Sequence, residues 1–189
     1  MIGVIDSKIC NIFSLTNMLK KINAPFKIVS DTEDFTDIDK LILPGVGAFP
    51  KAMENLNKYN LLDGIISFAK SGKPLMGICL GMQLLFDESE EFGVVKGLCL
   101  IPGKIVKIKT GRVLPHMGWN DITIKNNIPL LNGVSQNADV YFVHSYKADC
   151  DDKFIAATTE YDEIIPAVVF KGNIFGCQFH PKRVRGGVK

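Results

Sequence analysis

The sequence lacks the closely spaced cysteines that a disulfide framework or a structural zinc site requires. Its five cysteines are an odd number, lie far apart in 189 residues and form no Cys-x-x-Cys pair. This usage indicates reduced thiols and predicts a cytoplasmic protein without a structural metal. No internal repeat or low-complexity segment is visible either.

Long apolar runs and a strong net charge are also absent. No apolar stretch approaches the length of a membrane span, and the first residues follow a strand pattern with neither a basic start nor a cleavage site. The formal net charge of +2 is too small to indicate a nucleic acid or a membrane surface as a partner. The chain contains 47% hydrophobic and 22% charged residues, as a globular protein does. We predict one domain over residues 1–189.

The first half of the chain alternates between strand and helix patterns. Short apolar runs predict strands at 2–5, 26–29 and 41–43, with a fourth leading up to Cys79. Helical spacing predicts helices that begin after Asn11 and at about residues 50 and 61, the last closed by Gly72. The first helix is expected to bury one apolar face, formed by Ile12, Leu15, Leu19 and Ile22. Such alternation is typical of βαβ units around a parallel sheet.

The second half of the chain has a different composition, which favours strands. Residues 99–124 and 139–179 are rich in β-branched and aromatic residues, and 168–176 has the pattern of a hairpin. The predicted fold class is therefore α/β, with a mostly parallel twisted sheet flanked by helices and antiparallel additions in the C-terminal half.

The segment Gly77-Ile78-Cys79-Leu80-Gly81 carries the strongest chemical signal. It has the glycine–x–nucleophile–x–glycine spacing of a strand-to-helix elbow, where the nucleophile's backbone is strained and its neighbours must be small. At the start of a helix, Cys79 is expected to have a lowered thiol pKa, because the helix dipole and free N–H groups favour the thiolate. The alternative is a core cysteine, since unpaired cysteines are among the most buried residues.

Two further features are candidates for completing a catalytic site. The turn at 44–47 follows a strand end and contains glycines that let backbone N–H groups approach a substrate, as an oxyanion hole requires; an ordinary turn is the alternative. Among the three histidines, His180 is best placed as the base for a thiol, because it follows an apolar strand and Pro181 fixes the exit. His116 and His144 are rival candidates, and a purely structural role is the alternative for each of the three.

Five segments occur in an order that resembles a known family. They are Pro44-Gly45-Val46-Gly47, Gly77-Ile78-Cys79-Leu80-Gly81-Met82-Gln83, Pro115-His116-Met117-Gly118-Trp119-Asn120, Tyr141-Phe142-Val143-His144-Ser145-Tyr146 and Gln178-Phe179-His180-Pro181. Together they resemble the glutaminase subunits of imidazole glycerol phosphate synthase, which are class I (triad) glutamine amidotransferases. The resemblance runs from residue 2 to about 181. The block around Cys79 marks the wider class, and the segments at 115–120 and 141–146 narrow it to this subunit.

The resemblance implies a mechanism, a partner and a set of site residues. Cys79 would attack the side-chain amide of glutamine, forming a thioester and releasing ammonia, while His180 relays protons. The ammonia would pass through the β/α barrel of a separate cyclase subunit in a heterodimer that makes imidazole glycerol phosphate for histidine biosynthesis. No metal or organic cofactor is implied. The backbone N–H groups expected to hold the oxyanion are those of Val46, Gly47 and Leu80. The residues expected to position glutamine are Gly45, Gln83, His144, Ser145 and Tyr146.

Two departures from the family pattern leave alternatives open. The loop after the first strand reads Ser7-Lys8-Ile9-Cys10-Asn11 where the family has Tyr-Gly-x-Gly-Asn, so a paralogue that supplies ammonia for surface-sugar amidation is one alternative. Lys182 stands where the family has its triad glutamate, so a catalytically impaired remnant or a scaffold is another. We predict that full activity requires a carboxylate at position 182. The tail 182–189 shows no helix signal, and we expect it to be atypical and truncated; a single-nucleotide deletion after codon 181 would account for both oddities.

Overall fold

Four α-helices and fifteen strands form the part of the chain that the structure, a computed structural model, describes. This part comprises residues 1–10 and 12–181 and the backbone of 184–185. The helices are α1 (Ile12–Lys21), α2 (Phe49–Lys58), α3 (Leu62–Lys70) and α4 (Leu80–Gln83), with 3₁₀ helices at Thr32–Phe35, Pro129–Leu131 and Asp152–Phe154. The strands are β1 (Ile2–Ile5), β2 (Phe26–Val29), β3 (Lys40–Gly45), β4 (Leu75–Cys79), β5 (Glu88–Ser89), β6 (Val95–Lys96), β7 (Lys104–Lys107), β8 (His116–Asp121), β9 (Thr123–Ile124), β10 (Asp139–His144), β11 (Tyr146–Asp149), β12 (Ile155–Glu160), β13 (Ile164–Lys171), β14 (Ile174–Cys177) and β15 (Val184–Arg185). The predicted Asn11 cap and, apart from β15, the tail 182–189 lie outside the described residues.

The largest sheet has eight strands in the order β2-β1-β3-β4-β14-β13-β12-β9. Its first five strands run parallel, and the last three are added antiparallel. The parallel part consists of β1 to β4, from the first half of the chain, together with β14. The antiparallel part consists of β9, β12 and β13, from the second half. The predicted α/β fold with antiparallel additions in the C-terminal half is therefore confirmed, and β13 and β14 form the predicted hairpin.

Helices cover both faces of this sheet because successive strand residues point to opposite sides. In β3, Leu41 and Leu43 pack into the apolar layer that contains the buried faces of α2 and α3. Ile42, between them, faces the layer on the other side, which contains the buried residues of α1. The core thus consists of two apolar layers with the sheet between them.

The ends of the helices agree with the prediction in one case and differ in another. Gly72, with a φ of 79°, follows the cap of α3 as predicted. The prediction that Ile22 belongs to the buried face of α1 was wrong, because the helix ends at Lys21 and Ile22 is 65% exposed. The chain turns away there, since Asn23 adopts a φ of 53°. Within the described residues, no helix is long and apolar enough to cross a membrane.

Two smaller sheets come mainly from the second half of the chain. One joins β15, β10 and β8, and the other joins β11, β7, β5 and β6. β10 runs antiparallel to β8 and places His144 opposite His116. The chain then passes through Ser145 into β11, so this pairing fixes the position of the segment 144–146.

The parallel strands bring the segments that follow them to one edge of the main sheet. The strand order reverses between β1 and β3, and open α/β sheets bind ligands at such a point, beyond the carboxyl ends of the strands. The Val46 N–H donates to the Ile9 carbonyl oxygen at 3.4 Å, which joins the loops after β3 and β1. The turn after β4 and the segment after β14 reach the same edge.

Candidate active site

A sharp turn at Cys79 joins β4 to α4. Cys79 has a φ of 55° and a ψ of −112°, a strained conformation that residues other than glycine rarely adopt. A Cβ at Gly77 would lie 2.5 Å from the Gly81 carbonyl oxygen, and one at Gly81 would lie 1.8 Å from the Leu43 carbonyl oxygen. The turn therefore requires both glycines, and its strain at Cys79 is typical of a nucleophile elbow.

We expect Gly81→Ala to lower the free energy of unfolding by about 3 kcal/mol or more, because the added methyl group would meet backbone that cannot move aside. Urea unfolding followed by circular dichroism measures the loss. Gly111→Ala is the matched control: a Cβ there has no neighbour within 4 Å, so its effect should stay within about 0.5 kcal/mol. Equal stability of the two variants would contradict the packing of the elbow.

A pocket of about 530 Å³ opens beside Cys79. Nine of the predicted site residues line it, namely Val46, Gly47, Cys79, Leu80, Gln83, His144, Ser145, Tyr146 and His180. Gly45 instead lines a neighbouring cavity of about 200 Å³, which shares Val46 and His180 with the first. Lys182 lies outside the described residues. The fold therefore gathers nearly all of the predicted site around the elbow.

Gly45 has a packing role at the end of β3. A Cβ there would lie 3.0 Å from both the Leu80 Cβ and the Gly81 backbone nitrogen. Glycine thus allows β3 to approach the elbow closely. The direct contact between Gly45 and glutamine that the family resemblance implies stays a prediction.

Burial dominates the chemistry of the Cys79 thiol. Removal from water raises the pKa of this thiol to about 11, and hydrogen bonds from the Leu80 N–H and the Gln178 carboxamide lower it only in part. The expectation of a lowered pKa was therefore wrong for the free protein. The helix that follows has only four residues, and desolvation outweighs the effect of its N-terminal N–H groups. The thiol consequently needs a base that takes its proton.

His180 borders both cavities, so it shares a pocket with Cys79. Its backbone N–H donates to the Tyr141 carbonyl oxygen at 3.3 Å, which ties the segment after β14 to β10. His144 lines the same pocket as Cys79, whereas His116 contacts His144 and is not part of the lining. Its place in the pocket supports His180 as the base.

The three predicted oxyanion donors differ in their present partners. The Leu80 N–H already interacts with the Cys79 thiol. The Val46 N–H is bound to the Ile9 carbonyl oxygen. Gly47 lines the pocket, has a φ of 91° and would have no neighbour within 4 Å of an added Cβ.

The loop after β1 departs from the glycine-rich family pattern and is held by polar contacts instead. Lys8 occupies the place of the first family glycine and adopts a φ of 61°, a left-handed conformation that costs a non-glycine residue about 1 kcal/mol. The Asp6 carboxylate offsets this cost by accepting from the Lys8 backbone N–H at 3.0 Å and from its Nζ at 2.6 Å. Asn55 Nδ2 donates to the Ser7 carbonyl oxygen at 2.8 Å. The loop thus keeps a left-handed turn without glycine.

His116 and His144 form a buried pair beside the pocket. His116 Nδ1 lies 3.1 Å from His144 Nε2, and His144 Nδ1 lies 2.8 Å from the Tyr146 carbonyl oxygen. The His116 ring stacks against Phe142 and Tyr161. Burial lowers the pKa of each histidine to about 4, so both are neutral at pH 7. A pKa this low makes each histidine a weak base, which disfavours both as the general base and indicates a positioning role.

We expect the free energy of unfolding to fall as the pH drops from about 6.5 to 4. Each of these two histidines has a folded-state pKa of about 4, below the ordinary value of 6.5, so the unfolded chain binds more protons in this window. The loss is at most about 1.4 kcal/mol per pH unit for each histidine. Urea unfolding at a series of pH values measures the slope. His116→Gln should reduce it, because one titrating group is gone; identical slopes would refute the low pKa of His116.

The pocket also contains residues that the sequence did not single out. Glu91 and Lys107 are the charged side chains of its wall, and Glu91 Oε2 accepts from the Phe49 N–H at 2.7 Å. Gln178 lies in one of the five family segments but was not among the predicted site residues, although its Nε2 lies 3.9 Å from Cys79 Sγ. A signal for it exists, since Gln178 lies two residues before His180 in the same family segment. Within the described residues, no group of three or more His, Cys, Asp or Glu side chains is placed to hold a metal ion.

Comparisons with known proteins identify the class. Residues 3–186 match the family described as glutamine amidotransferase class-I. A crystal structure of a glutamine amidotransferase has a TM-score of 0.76 and 18% identity, covering 96% of this chain and 90% of the other. PurLQS from Thermotoga maritima has a TM-score of 0.70 and 22% identity, covering 96% and 87%. The chain thus has the fold of a class I glutamine amidotransferase and belongs to that family of enzymes.

Curated relatives narrow the class further. The imidazole glycerol phosphate synthase subunit HisH of Bacillus cereus is 48% identical over 183 residues, which are 97% of this chain and 88% of the relative. The protein of the same name from Bacillus thuringiensis is 47% identical over the same shares. Within its class, the chain belongs to the family of imidazole glycerol phosphate synthase subunits HisH, and the resemblance found in the sequence is confirmed.

Proposed function

We propose that this chain is the glutaminase subunit of an imidazole glycerol phosphate synthase. It hydrolyses glutamine to glutamate and ammonia and passes the ammonia to a cyclase subunit in histidine biosynthesis. The observation that carries this proposal is the strained Cys79 elbow, which faces a pocket shared with His180. The high identity to the HisH relatives across nearly the whole chain supports the choice of synthase.

Cys79 and His180 have complementary roles in the proposed reaction. His180 takes the thiol proton as the sulfur attacks the amide carbon of glutamine, because a thiol with a raised pKa needs a base. The C–N bond then breaks, His180 gives the proton to the leaving nitrogen, and ammonia departs from a thioester. Water, deprotonated by His180, hydrolyses the thioester, and glutamate leaves with the thiol restored. The proposed donors to the oxyanion are the N–H groups of Val46, Gly47 and Leu80.

The pocket wall offers groups that complement free glutamine. Both N–H donors of the Gln83 carboxamide are used, by the Tyr146 carbonyl oxygen and by Gln178 Oε1. The group that Gln83 can offer a ligand is therefore its oxygen, an acceptor for a substrate N–H. Glu91 and Lys107 supply one charge of each sign, matching the α-ammonium and α-carboxylate groups of an amino acid.

The proposed partner is a cyclase subunit with a β/α barrel, bound as a heterodimer. Apolar residues are exposed on this side of the molecule: Met117 is 60% exposed, Val46 43% and Trp119 38%. The Trp119 ring meets the Tyr141 ring edge-on with centroids 5.7 Å apart, and Tyr141 lines the smaller cavity together with Val46. An exposed apolar patch beside the site suits a protein partner that receives the ammonia.

Glutamine is expected to support formation of imidazole glycerol phosphate when this chain is combined with a cyclase subunit from a Bacillus relative and with the phosphorylated substrate of that subunit. Chromatography of the product measures it. Added ammonia with the cyclase subunit alone is the control, since ammonia bypasses the glutaminase. Product from ammonia but none from glutamine with either this chain or its Lys182→Glu variant would count against the proposed function.

A further inference from the structure

The main-chain carbonyl of Tyr146 organises two chains of buried hydrogen bonds. It accepts from Gln83 Nε2 at 3.2 Å and lies 2.8 Å from His144 Nδ1. A carbonyl oxygen can only accept, so both partners must present N–H groups to it. This one acceptor therefore fixes the amide orientation of Gln83 and the tautomer of His144.

The first chain leads to the nucleophile. Gln83 Nε2 also lies 3.0 Å from the Gln178 carboxamide, and because Gln83 donates there, Gln178 must accept through Oε1. The NH₂ group of Gln178 is then the end that faces Cys79, with Nε2 3.9 Å from Sγ. Gln178 is fully buried and Gln83 nearly so. A reversed Gln178 amide would set two NH₂ groups against each other in the protein interior, which buried polar groups avoid.

The second chain holds the carbonyl in place from the other side. With its proton on Nδ1, His144 has a bare Nε2, so His116 must donate to it through Nδ1. His116 Nε2 is then an acceptor, and Asn120 Nδ2 lies 3.3 Å from it. Asn120 Nδ2 also donates to the Glu160 carbonyl oxygen at 2.9 Å. The direction of every bond in both chains thus follows from the Tyr146 carbonyl.

We propose that Gln178 is a further catalytic residue, whose carboxamide, oriented by Gln83, donates to the Cys79 sulfur and stabilises the thiolate during attack. This role rests on the proposed function of Cys79 as the glutaminase nucleophile. A sulfur anion that is buried away from water needs donors aimed at it. The Leu80 N–H and Gln178 are two such donors, and both lower the pKa of the thiol against the effect of burial.

Gln178 differs from the titratable and charged groups around Cys79 in that its carboxamide keeps the same protonation state at every pH of interest. Cys177 on β14 is fully buried, and burial holds the pKa of its thiol far above the ordinary value, so it stays neutral. The other titratable or charged residues of the pocket lining are Glu91, Lys107, His144, Tyr146 and His180. Among them, His180 is the proposed base and His144 is neutral at pH 7. Gln178 supplies a donor that does not titrate.

Gln178→Glu keeps the length of the side chain and an acceptor for Gln83, removes the N–H aimed at the sulfur and adds a carboxylate, and both of these changes disfavour the thiolate; the neutral Gln178→Met removes the donor alone. We expect the pH profile of Cys79 alkylation by iodoacetamide, followed by mass spectrometry of its peptide, to move upward by about one pH unit or more. At pH 8, alkylation should slow by about threefold for each unit by which the pKa rises, because thiolate nucleophilicity increases as the thiolate fraction falls. Gln136→Glu makes the same change at an exposed amide and should leave the profile unchanged.

Gln178→Met provides a neutral variant of similar length, should the buried glutamate prevent folding. It should move the Cys79 profile in the same direction, and in both variants kcat for glutamine should fall with KM little changed. In the unmodified protein, the side-chain amide hydrogens of Gln178 should exchange slowly with solvent by NMR. An unchanged Cys79 profile in either folded variant, or fast exchange of those hydrogens, overturns the role. Because alkylation requires no turnover, a shifted profile in a protein without glutaminase activity would keep the hydrogen bond and refute only the proposed function.

Discussion

Cys79→Ala is expected to abolish glutamine hydrolysis, with a loss in kcat on the order of 10⁴ to 10⁶ when it is made in the Lys182→Glu chain, and on the order of 10² in the chain with Lys182, because the members of a triad act as a unit. The sulfur forms the covalent bond of the thioester, and no other residue that lines the pocket carries a thiol. The elbow itself should survive, because alanine is smaller than cysteine and leaves the turn glycines in place. Release of glutamate from glutamine, measured in the presence of the cyclase subunit, reports the loss.

Cys99→Ser is the matched control for this variant. Cys99 is an exposed free cysteine outside the pocket lining, and its Sγ lies 3.7 Å from the Asp87 and the Gly97 carbonyl oxygens. The Cys99→Ser variant should hydrolyse glutamine at the rate of the unmodified protein. Turnover by Cys79→Ala at the rate of the control would mean that the thioester route is not the one used.

Lys182→Glu is expected to raise kcat for glutamine hydrolysis, by as much as about 10⁴. Position 182 lies outside the described residues; in the sequence it follows His180 and Pro181. The family resemblance places there a glutamate that orients the imidazole. A lysine cannot accept the imidazole N–H, and its charge disfavours the imidazolium that forms during catalysis. The gain can fall below this limit, because a thiol is intrinsically more nucleophilic than a serine hydroxyl. Steady-state assays of both chains with the cyclase subunit measure it.

Lys182→Met separates the two causes of the expected gain. It removes the positive charge without supplying an acceptor, so its effect should be smaller than that of Lys182→Glu. An inactive unmodified chain beside an active Lys182→Glu chain would support the alternative of an impaired enzyme. Equal activity of those two chains would remove the need for a carboxylate at this position.

Features that depend on residues close in sequence could be predicted before the structure was known. The spacing of Gly77, Cys79 and Gly81 predicts the elbow, because a Cβ at Gly77 would meet the Gly81 backbone within the same turn; the conflict of Gly81 with Leu43 on β3 could not be predicted from spacing. The strand-end position of His180 likewise predicts its place at the edge where ligands bind. The alternation of strands and helices predicts the parallel sheet, because it is a pattern of elements that follow one another along the chain.

Features that depend on distant contacts could not be predicted in this way. The raised pKa of Cys79 follows from burial in the folded protein, which a helix-start argument does not include. Gln83 and Gln178 meet across 95 positions in the chain, and Glu91 and Lys107 enter the pocket from segments with no catalytic pattern. Such contacts are decided by how β4, β14 and the smaller sheets pack together.

Labelling with a glutamine-analogue electrophile tests most directly whether Cys79 is a nucleophile served by a glutamine-binding pocket. Mass spectrometry of the peptides that contain Cys79, Cys99 and Cys150 measures the labelling. Cys79 should label much faster than the other two cysteines, and added glutamine should slow labelling at Cys79 alone. Labelling of Cys79 no faster than that of the exposed Cys99, and unaffected by glutamine, would contradict the account.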